Sequence, residues 1–128
     1  MTAMVAATEA RSGRWLESPG FGVYVHIPFC RHRCHYCDFN TYEGLDALHE
    51  PYVDALVREI LRWDGPVEPA TSVFFGGGTP TLLAPAALGR VLDAVRERCG
   101  IAPEAEITVE ANPETVDERA FEGLLAAG

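Results

Sequence analysis

Residues 22–37 read GVYVHIPFCRHRCHYC, a run of β-branched and aromatic residues that stops at Pro28 and is followed by three cysteines. Such a run favours a buried strand, and a proline ends it. The cysteines therefore lie in a loop that directly follows the first strand of the ordered region. This boundary between strand and loop is the point from which the rest of the fold can be worked out.

Helical and extended patterns alternate after the cysteine loop. Apolar residues at helical spacing predict three helices, at 51–63, at 85–100 and after the cap residue Asp117, where Phe121, Leu124 and Leu125 share one face. Short apolar runs predict further strands at 72–75 and 107–110. A repeated strand–helix order predicts an α/β fold with a parallel sheet, because parallel strands need long crossover connections. Three such units cannot close a barrel, so we expect residues 21–128 to be the N-terminal part of a larger domain.

The first 20 residues are small and polar and end at Ser18-Pro19-Gly20. We expect them to form a flexible leader, with order starting at Phe21. They contain no apolar run typical of a signal peptide, and no part of the chain approaches the ~20 apolar residues of a spanning helix. The sequence therefore predicts a cytoplasmic protein.

The composition of the chain bears on its partners. The 128 residues are 48% apolar and carry a formal charge of -9, with 10 Lys+Arg against 19 Asp+Glu. The apolar content is sufficient for one packed core. Phosphate backbones bind basic surfaces, so we expect no nucleic-acid partner.

Three of the four cysteines, Cys30, Cys34 and Cys37, follow the spacing C-x3-C-x2-C. In a reducing compartment such crowding indicates metal binding, and soft thiolates favour iron–sulfur clusters, zinc or cuprous ions. A [4Fe-4S] cubane on three cysteines keeps one iron open to another ligand, whereas His32 or His35 could complete a Cys3His zinc site. The spacing also fits a buried helical stripe of thiols. Spacing alone leaves all three hypotheses open.

Glycines and an acid follow the other two predicted strands. The segment FGGGTPT occupies residues 75–81, and Glu110 ends the third strand. Parallel sheets bind ligands at the carboxyl ends of their strands. The glycine segment lacks the lysine of a Walker loop and, taken alone, is more typical of a tight turn. Its carbonyls and the Thr79 hydroxyl would suit an ammonium group, and Glu110 would suit a cationic or hydroxyl-rich ligand or simply solvent.

Two residues outside these motifs receive structural interpretations. Cys99 lies in a helical pattern and is expected to be a buried thiol rather than a ligand. His26 lies in the first strand, and we expect it to pack there rather than to hydrogen-bond near the cysteines.

The run from Tyr24 to Cys30, YVHIPFC, continued through Cys37-Asp38-Phe39, closely resembles the radical SAM coproporphyrinogen dehydrogenase and heme chaperone family. The resemblance covers about residues 21–128 and implies the first part of a partial TIM-type barrel. It implies a [4Fe-4S] cluster on the three cysteines, with S-adenosylmethionine on the fourth iron. It further implies cofactor contacts at Tyr24, Tyr36, Gly77, Gly78, Thr79 and Glu110.

Phe39 separates the two branches of that family. The porphyrin-forming dehydrogenases extend the signature by a fourth cysteine, and this chain has Phe39 in its place. The segment from Cys37 to Tyr42 resembles the heme chaperone branch (HemW), which keeps the cluster and cofactor site and is implicated in heme delivery. That branch implies heme as cargo, an unidentified electron donor, and heme-accepting respiratory proteins at the membrane edge. Two alternatives to a heme chaperone stay open. The first is an enzyme that decarboxylates coproporphyrinogen III to protoporphyrinogen IX without oxygen, and the second is a non-catalytic zinc module.

Overall fold

The computed structural model describes residues 5–7, 20–65 and 68–128. In chain order the elements are strands β1 (Val5–Ala7), β2 (Phe21–Ile27), β3 (Phe29–Cys30) and β4 (Tyr42–Glu43), helix α1 (His49–Arg62), strand β5 (Ala70–Gly77), helix α2 (Pro85–Arg98), strand β6 (Ile101–Val109) and helix α3 (Glu118–Ala127). Short 3-10 turns lie at Asp46–Leu48, Pro80–Leu82 and Pro113–Thr115.

A four-stranded sheet in the order β1-β2-β5-β6 forms the centre of the molecule. Strands β2, β5 and β6 are parallel, and β1 pairs with β2 in the antiparallel direction. Ile27 pairs with Gly77, and Phe75 pairs with Val109, so the three carboxyl ends lie at one edge. The predicted α/β class with parallel βα units is confirmed.

The core lies between one face of the sheet and helices α1 and α2. Val25, Ile27 and Val73 are 0–2% exposed and belong to one apolar cluster with Val53 of α1 and Val91 of α2. Fully burying each such side chain contributes roughly 1.5–3 kcal/mol. Because side chains alternate along a strand, the strand residues next to Val25, Ile27 and Val73 face the other side of the sheet. The core thus provides a rigid support for the loops at the carboxyl edge.

Strand β6 is longer than predicted. It begins at Ile101, whereas the sequence pattern indicated a strand only from Ile107. Pro103 and the acidic residues near it conceal the strand pattern, but an edge strand of the described sheet tolerates a proline. The pairing with β5 shifts in register at this point, between Ala70 and Ser72.

Helix α3 is capped as predicted but is packed differently. The Asp117 carboxylate accepts a hydrogen bond from the Ala120 amide at 2.8 Å. Leu124 packs against the core, whereas Phe121 and Leu125, predicted on the same face, are 51% and 82% exposed. Both line an open apolar groove of about 510 Å³ between α3, α2 and β6. Periodicity identifies an apolar face without showing whether another element packs on it.

The predicted flexible leader falls largely outside the described residues. Residues 1–4 and 8–19 are not among them, so flexibility there stays a prediction. The short strand β1 was not predicted: Val5 pairs with Val23, and Ala7 with Phe21. Strands pair through their backbone groups, so residue composition does not show that this segment joins the sheet. In the ranges that the structure describes, no helix is both long and apolar enough to cross a membrane.

Candidate functional site

One open cavity of about 800 Å³ lies at the carboxyl edge of the sheet. Its walls come from the loop after β3, the glycine loop after β5 and the segment after β6. It is lined by all of the sequence-predicted site residues except Tyr24, namely Cys30, Cys34, Tyr36, Cys37, Gly77, Gly78, Thr79 and Glu110. Parallel pairing thus brings together three segments that are far apart in the sequence.

The cysteine loop is closed at its base by the short parallel pair β3 and β4. Phe29 pairs with Tyr42, and Cys30 pairs with Glu43. The Tyr42 amide also donates to the Pro28 carbonyl at 2.7 Å. Residues 31–41 therefore form a loop whose two ends are held side by side.

Arg33 braces this loop from within. Its guanidinium Nη2 donates to the carbonyls of Cys37 at 3.1 Å and Phe39 at 3.3 Å. Its backbone amide donates to the Glu43 carboxylate at the base of the loop. A cation beside the thiols would also offset the negative charge of a thiolate-bound metal centre.

The three thiols lie outside any helix, so the hypothesis of a buried helical stripe is wrong. Cys34 is exposed, and Cys30 and Cys37 are half-buried. The Cys37 amide donates to the Cys34 carbonyl at 2.9 Å, which forms a tight turn between them. A hydrogen bond from Thr41, with smaller effects of Phe39 and Arg33, lowers the pKa of the Cys37 thiol. That favours the thiolate, which is the form that binds metals.

The arrangement of donors suits a cluster better than a single ion. Within residues 20–65 and 68–128, no three His, Cys, Asp or Glu side chains converge closely enough to hold one metal ion. The thiols and the two histidines of the loop, His32 and His35, thus do not form a ready single-ion site in this arrangement. In a cubane each cysteine binds a different iron, so its thiols need not converge on one point. Three thiols that line one cavity therefore suit a [4Fe-4S] cluster in which one iron is open to another ligand.

Cys99 is buried, as predicted. Its side chain is 8% exposed, and its thiol donates to the Val95 carbonyl at 3.4 Å. Burial raises the pKa of this thiol. It lines a separate apolar pocket with Trp63 and Arg98, away from the cysteine loop.

Gly78 allows the glycine loop to lie against the first cysteine. The Gly78 amide donates to the Ile27 carbonyl at 2.8 Å, and the Thr79 amide donates to the Phe29 carbonyl at 2.7 Å. A Cβ at position 78 would lie 2.4 Å from the Phe29 carbonyl oxygen and 2.9 Å from the Cys30 Sγ. The absence of a side chain at this position thus permits the observed location of Cys30.

Gly77 and Glu110 connect the second and third loops. Gly77 has a φ of 118°, which favours glycine, and a Cβ there would lie 2.7 Å from the His26 ring. Its amide donates to the Glu110 Oε2 at 3.3 Å. The Glu110 amide donates in turn to the Phe75 carbonyl at 3.0 Å. The carboxylate therefore lies on the cavity wall beside the glycine loop.

The two predicted aromatic positions lie in different surroundings. Tyr36 is 88% exposed on the cavity rim, and its interactions with the Cys34 thiol raise its pKa. Tyr24 is half-buried and stacks on Phe74 with ring centroids 5.9 Å apart. Burial and the nearby Glu110 raise the pKa of Tyr24. Tyr24 thus lies beside the cavity residue Glu110 without lining the cavity itself.

His26 is hydrogen-bonded at both ring nitrogens, which corrects the expectation that it only packs. Its Nε2 lies 2.9 Å from the Asn40 carbonyl, and its Nδ1 lies 2.8 Å from the Tyr24 hydroxyl. A carbonyl only accepts, so Nε2 donates, and in the neutral imidazole Nδ1 then accepts the Tyr24 proton. The Tyr52 hydroxyl donates to the His26 carbonyl at 2.6 Å, and burial raises the pKa of Tyr52 to about 12. His26 thus connects strand β2 to the exit of the cysteine loop.

Replacing His26 by Phe should loosen that exit. The Tyr42 amide lies just after Asn40 in the chain, and we expect it to exchange with deuterium roughly fivefold faster than in the wild type. The reason is that loss of the hydrogen bond from His26 to Asn40 costs about 1 kcal/mol. Hydrogen exchange measured by mass spectrometry on the complete protein would test this. Tyr24→Phe is the matched control. It keeps the hydrogen bond from His26 to the Asn40 carbonyl, so exchange of the Tyr42 amide should not change. Equal rates in His26→Phe and the wild type would contradict the assignment.

Sequence reasoning missed Asn40 and Thr41. Thr41 is 4% exposed, and its Oγ1 lies 3.6 Å from the Cys37 Sγ. Their position within or just after the cysteine loop was the available signal. Their hydrogen bonds depend on how the loop closes, which spacing does not show.

The sequence profile of the radical SAM superfamily matches residues 24–128, which include the cysteine loop, the glycine loop and Glu110. The chain belongs to the radical SAM superfamily. Membership implies a [4Fe-4S] cluster and S-adenosylmethionine as the cofactors of the family, in agreement with the resemblance inferred from the cysteine motif.

Several relatives within the superfamily are heme chaperones. The chain is 45% identical over 111 residues to the heme chaperone HemW of Synechocystis sp., a match covering 82% of this chain and 27% of that protein. It is 41% identical to the heme chaperone HemW of Escherichia coli, over 88% of this chain and 31% of that protein. It is 37% identical to the mitochondrial radical S-adenosyl methionine domain-containing protein 1 of Danio rerio, over 83% and 24% respectively. The chain therefore spans less than one third of the length of these relatives.

A solved radical SAM structure has the same fold. Coproporphyrinogen III oxidase (HemN) of Escherichia coli, a radical SAM enzyme, superposes with a TM-score of 0.75 and 32% sequence identity. The match covers 82% of this chain and 25% of that chain. The prediction that the parallel βα units form the first part of a radical SAM barrel is confirmed.

Proposed function

We propose that this chain forms the cluster- and cofactor-binding part of a radical SAM heme chaperone. The observation that carries the proposal is the single cavity lined by the three thiols, the glycine loop and Glu110. The similarity to proteins named heme chaperone HemW supports heme as the cargo. Heme-accepting respiratory proteins as partners, an electron donor and a cytoplasmic location near the membrane are parts of the same proposal.

Cys30, Cys34 and Cys37 would hold three irons of the cluster, and the fourth iron would bind the amino acid end of S-adenosylmethionine. When bound, the cluster and S-adenosylmethionine together supply one-electron chemistry. Arg33 places a cation against the loop and would partly balance the charge of the cluster. The loop keeps this geometry through the β3–β4 pair at its base.

The remaining cavity residues would orient the cofactor. The Thr79 hydroxyl and the neighbouring carbonyls suit an ammonium group, and close approach is possible because Gly77 and Gly78 lack side chains. The Glu110 carboxylate would accept hydrogen bonds from hydroxyl groups. Tyr36, exposed on the rim, offers an aromatic face to a planar group. Tyr24, beside Glu110, would be a further contact to the cofactor.

Phe39 favours the chaperone over the dehydrogenase. It is 68% exposed and lines the cavity at the position where the dehydrogenases resembled here carry a further cysteine. A phenyl ring cannot supply a thiolate or a hydrogen atom from sulfur. The second candidate, oxidative decarboxylation of coproporphyrinogen III, is supported by the structural similarity to the Escherichia coli oxidase.

Parallel assays on the complete protein would test the proposal. After anaerobic reconstitution we expect about four irons and four sulfides per chain. Titration with heme should produce a bound spectrum, and incubation with coproporphyrinogen III, S-adenosylmethionine and a reductant should form no protoporphyrinogen IX. Decarboxylation without heme binding would establish the second candidate instead. Stoichiometric zinc without iron or sulfide would refute both.

A further inference from the structure

Thr41 is the buried polar residue at the exit of the cysteine loop. The residue is 4% exposed, so its hydroxyl is largely removed from water. A buried hydroxyl is costly unless it is hydrogen-bonded. Its partner is the Cys37 Sγ, 3.6 Å from the Thr41 Oγ1, a normal separation for a hydrogen bond to sulfur.

The backbone on both sides of Thr41 is held in place. The preceding Asn40 carbonyl accepts from the His26 Nε2 at 2.9 Å. The following Tyr42 amide donates to the Pro28 carbonyl at 2.7 Å. The backbone at Thr41 therefore cannot move away from the sulfur without breaking the bond between His26 and Asn40 or the bond between Tyr42 and Pro28.

The polarity of this contact is determined by the chemistry of a ligating thiolate. Once the Cys37 sulfur is deprotonated and bound to iron, it can only accept, so the Thr41 hydroxyl must donate. Hydrogen bonds to cluster sulfurs help to set the reduction potential. A donor stabilises the reduced cluster more than the oxidised one, because the reduced cluster carries one more negative charge.

We propose that Thr41 is a positioning residue that holds the Cys37 sulfur by a hydrogen bond and raises the reduction potential of the cluster bound there. This inference rests on the proposed function, since it requires the cluster. It assigns to Thr41 a role that the three-cysteine spacing does not indicate.

The test compares Thr41→Val, which keeps the branched shape but removes the hydroxyl, with Thr41→Ser, which keeps the hydroxyl. Both are made in the complete protein and reconstituted anaerobically. The potential is measured by redox titration followed by electron paramagnetic resonance, and iron–sulfur stretching by resonance Raman. We expect a more negative potential and shifted iron–sulfur modes in Thr41→Val, and values close to the wild type in Thr41→Ser.

Thr71→Val is the matched control. The Thr71 hydroxyl donates to the Phe21 carbonyl at 3.1 Å, at the opposite end of the sheet, and its removal should leave the potential unchanged. Loss of the cluster in Thr41→Val but not in Thr41→Ser would also support the inference. Equal potentials in the wild type and Thr41→Val, or cluster loss in both Thr41 variants, would overturn it. Absence of a cluster in the wild type would instead overturn the proposed function.

Discussion

Cys34→Ala is expected to leave the complete protein folded but without a cluster. Cys34 is exposed, so truncation of its side chain should change the free energy of unfolding by no more than about 0.5 kcal/mol. The loss of one of only three thiol donors should nevertheless reduce iron content after reconstitution to background. Two thiols hold at most two irons of the cubane, which is too few to keep the cluster in place.

Cys99→Ala should have the opposite effects. Cys99 is buried and belongs to the apolar core, so its truncation should cost about 1 kcal/mol of stability. It lies away from the cavity, and iron content should equal that of the wild type. Iron and sulfide assays with thermal unfolding of both variants would separate the two effects. Equal iron loss in both variants would refute the division of the cysteines into ligands and core.

Gly78→Ala should disturb the cluster site through shape alone. A Cβ at this position would lie 2.4 Å from a backbone oxygen of Phe29, which cannot rotate away, and 2.9 Å from the Cys30 Sγ. Either the glycine loop or strand β3 must shift, at a cost of about 1–3 kcal/mol. Because Cys30 moves with β3, we expect cluster binding to weaken about 10- to 100-fold, the range seen when support around metal ligands is lost.

Iron retained during a chelator challenge would measure this effect, with thermal unfolding recorded in parallel. Gly44→Asn is the control at the base of the same loop. Gly44 has a φ of 70°, which asparagine tolerates, and a Cβ there meets nothing within 4 Å. The control should keep its iron. Normal iron retention in Gly78→Ala would show that the contact with Cys30 is unimportant.

Much of the fold could be predicted because its signals are local. The apolar spacing in α1 and α2 and the cap at Asp117 identify helices from neighbouring residues, and the structure confirms them. The start of β6 could not be predicted, because a strand tolerates Pro103 only at an edge or a bulge, and the sequence does not show where the strand pairs. The exposure of Leu125 could not be predicted either, since packing on α3 depends on elements beyond its own pattern.

The candidate site likewise contains residues that could be predicted from the sequence and residues that could not. The thiols and the glycine segment are recognisable from residue type and spacing, since ligand chemistry and backbone freedom belong to the residues themselves. The role of His26 was predicted incorrectly. Its two partners lie two and fourteen residues away, and whether a strand histidine meets a loop carbonyl depends on how that loop closes.

The sequence by itself determined the order of strands and helices and the parallel connections, and it identified the candidate thiol donors, because each follows from short-range patterns. The tertiary structure alone decided that Gly78 contacts Cys30, that Glu110 reaches the glycine loop and that Thr41 is buried against Cys37. These contacts depend on the register that pairs Ile27 with Gly77 and Phe75 with Val109, and on the closure of the cysteine loop. Register and closure result from packing of the whole core, which no single segment encodes.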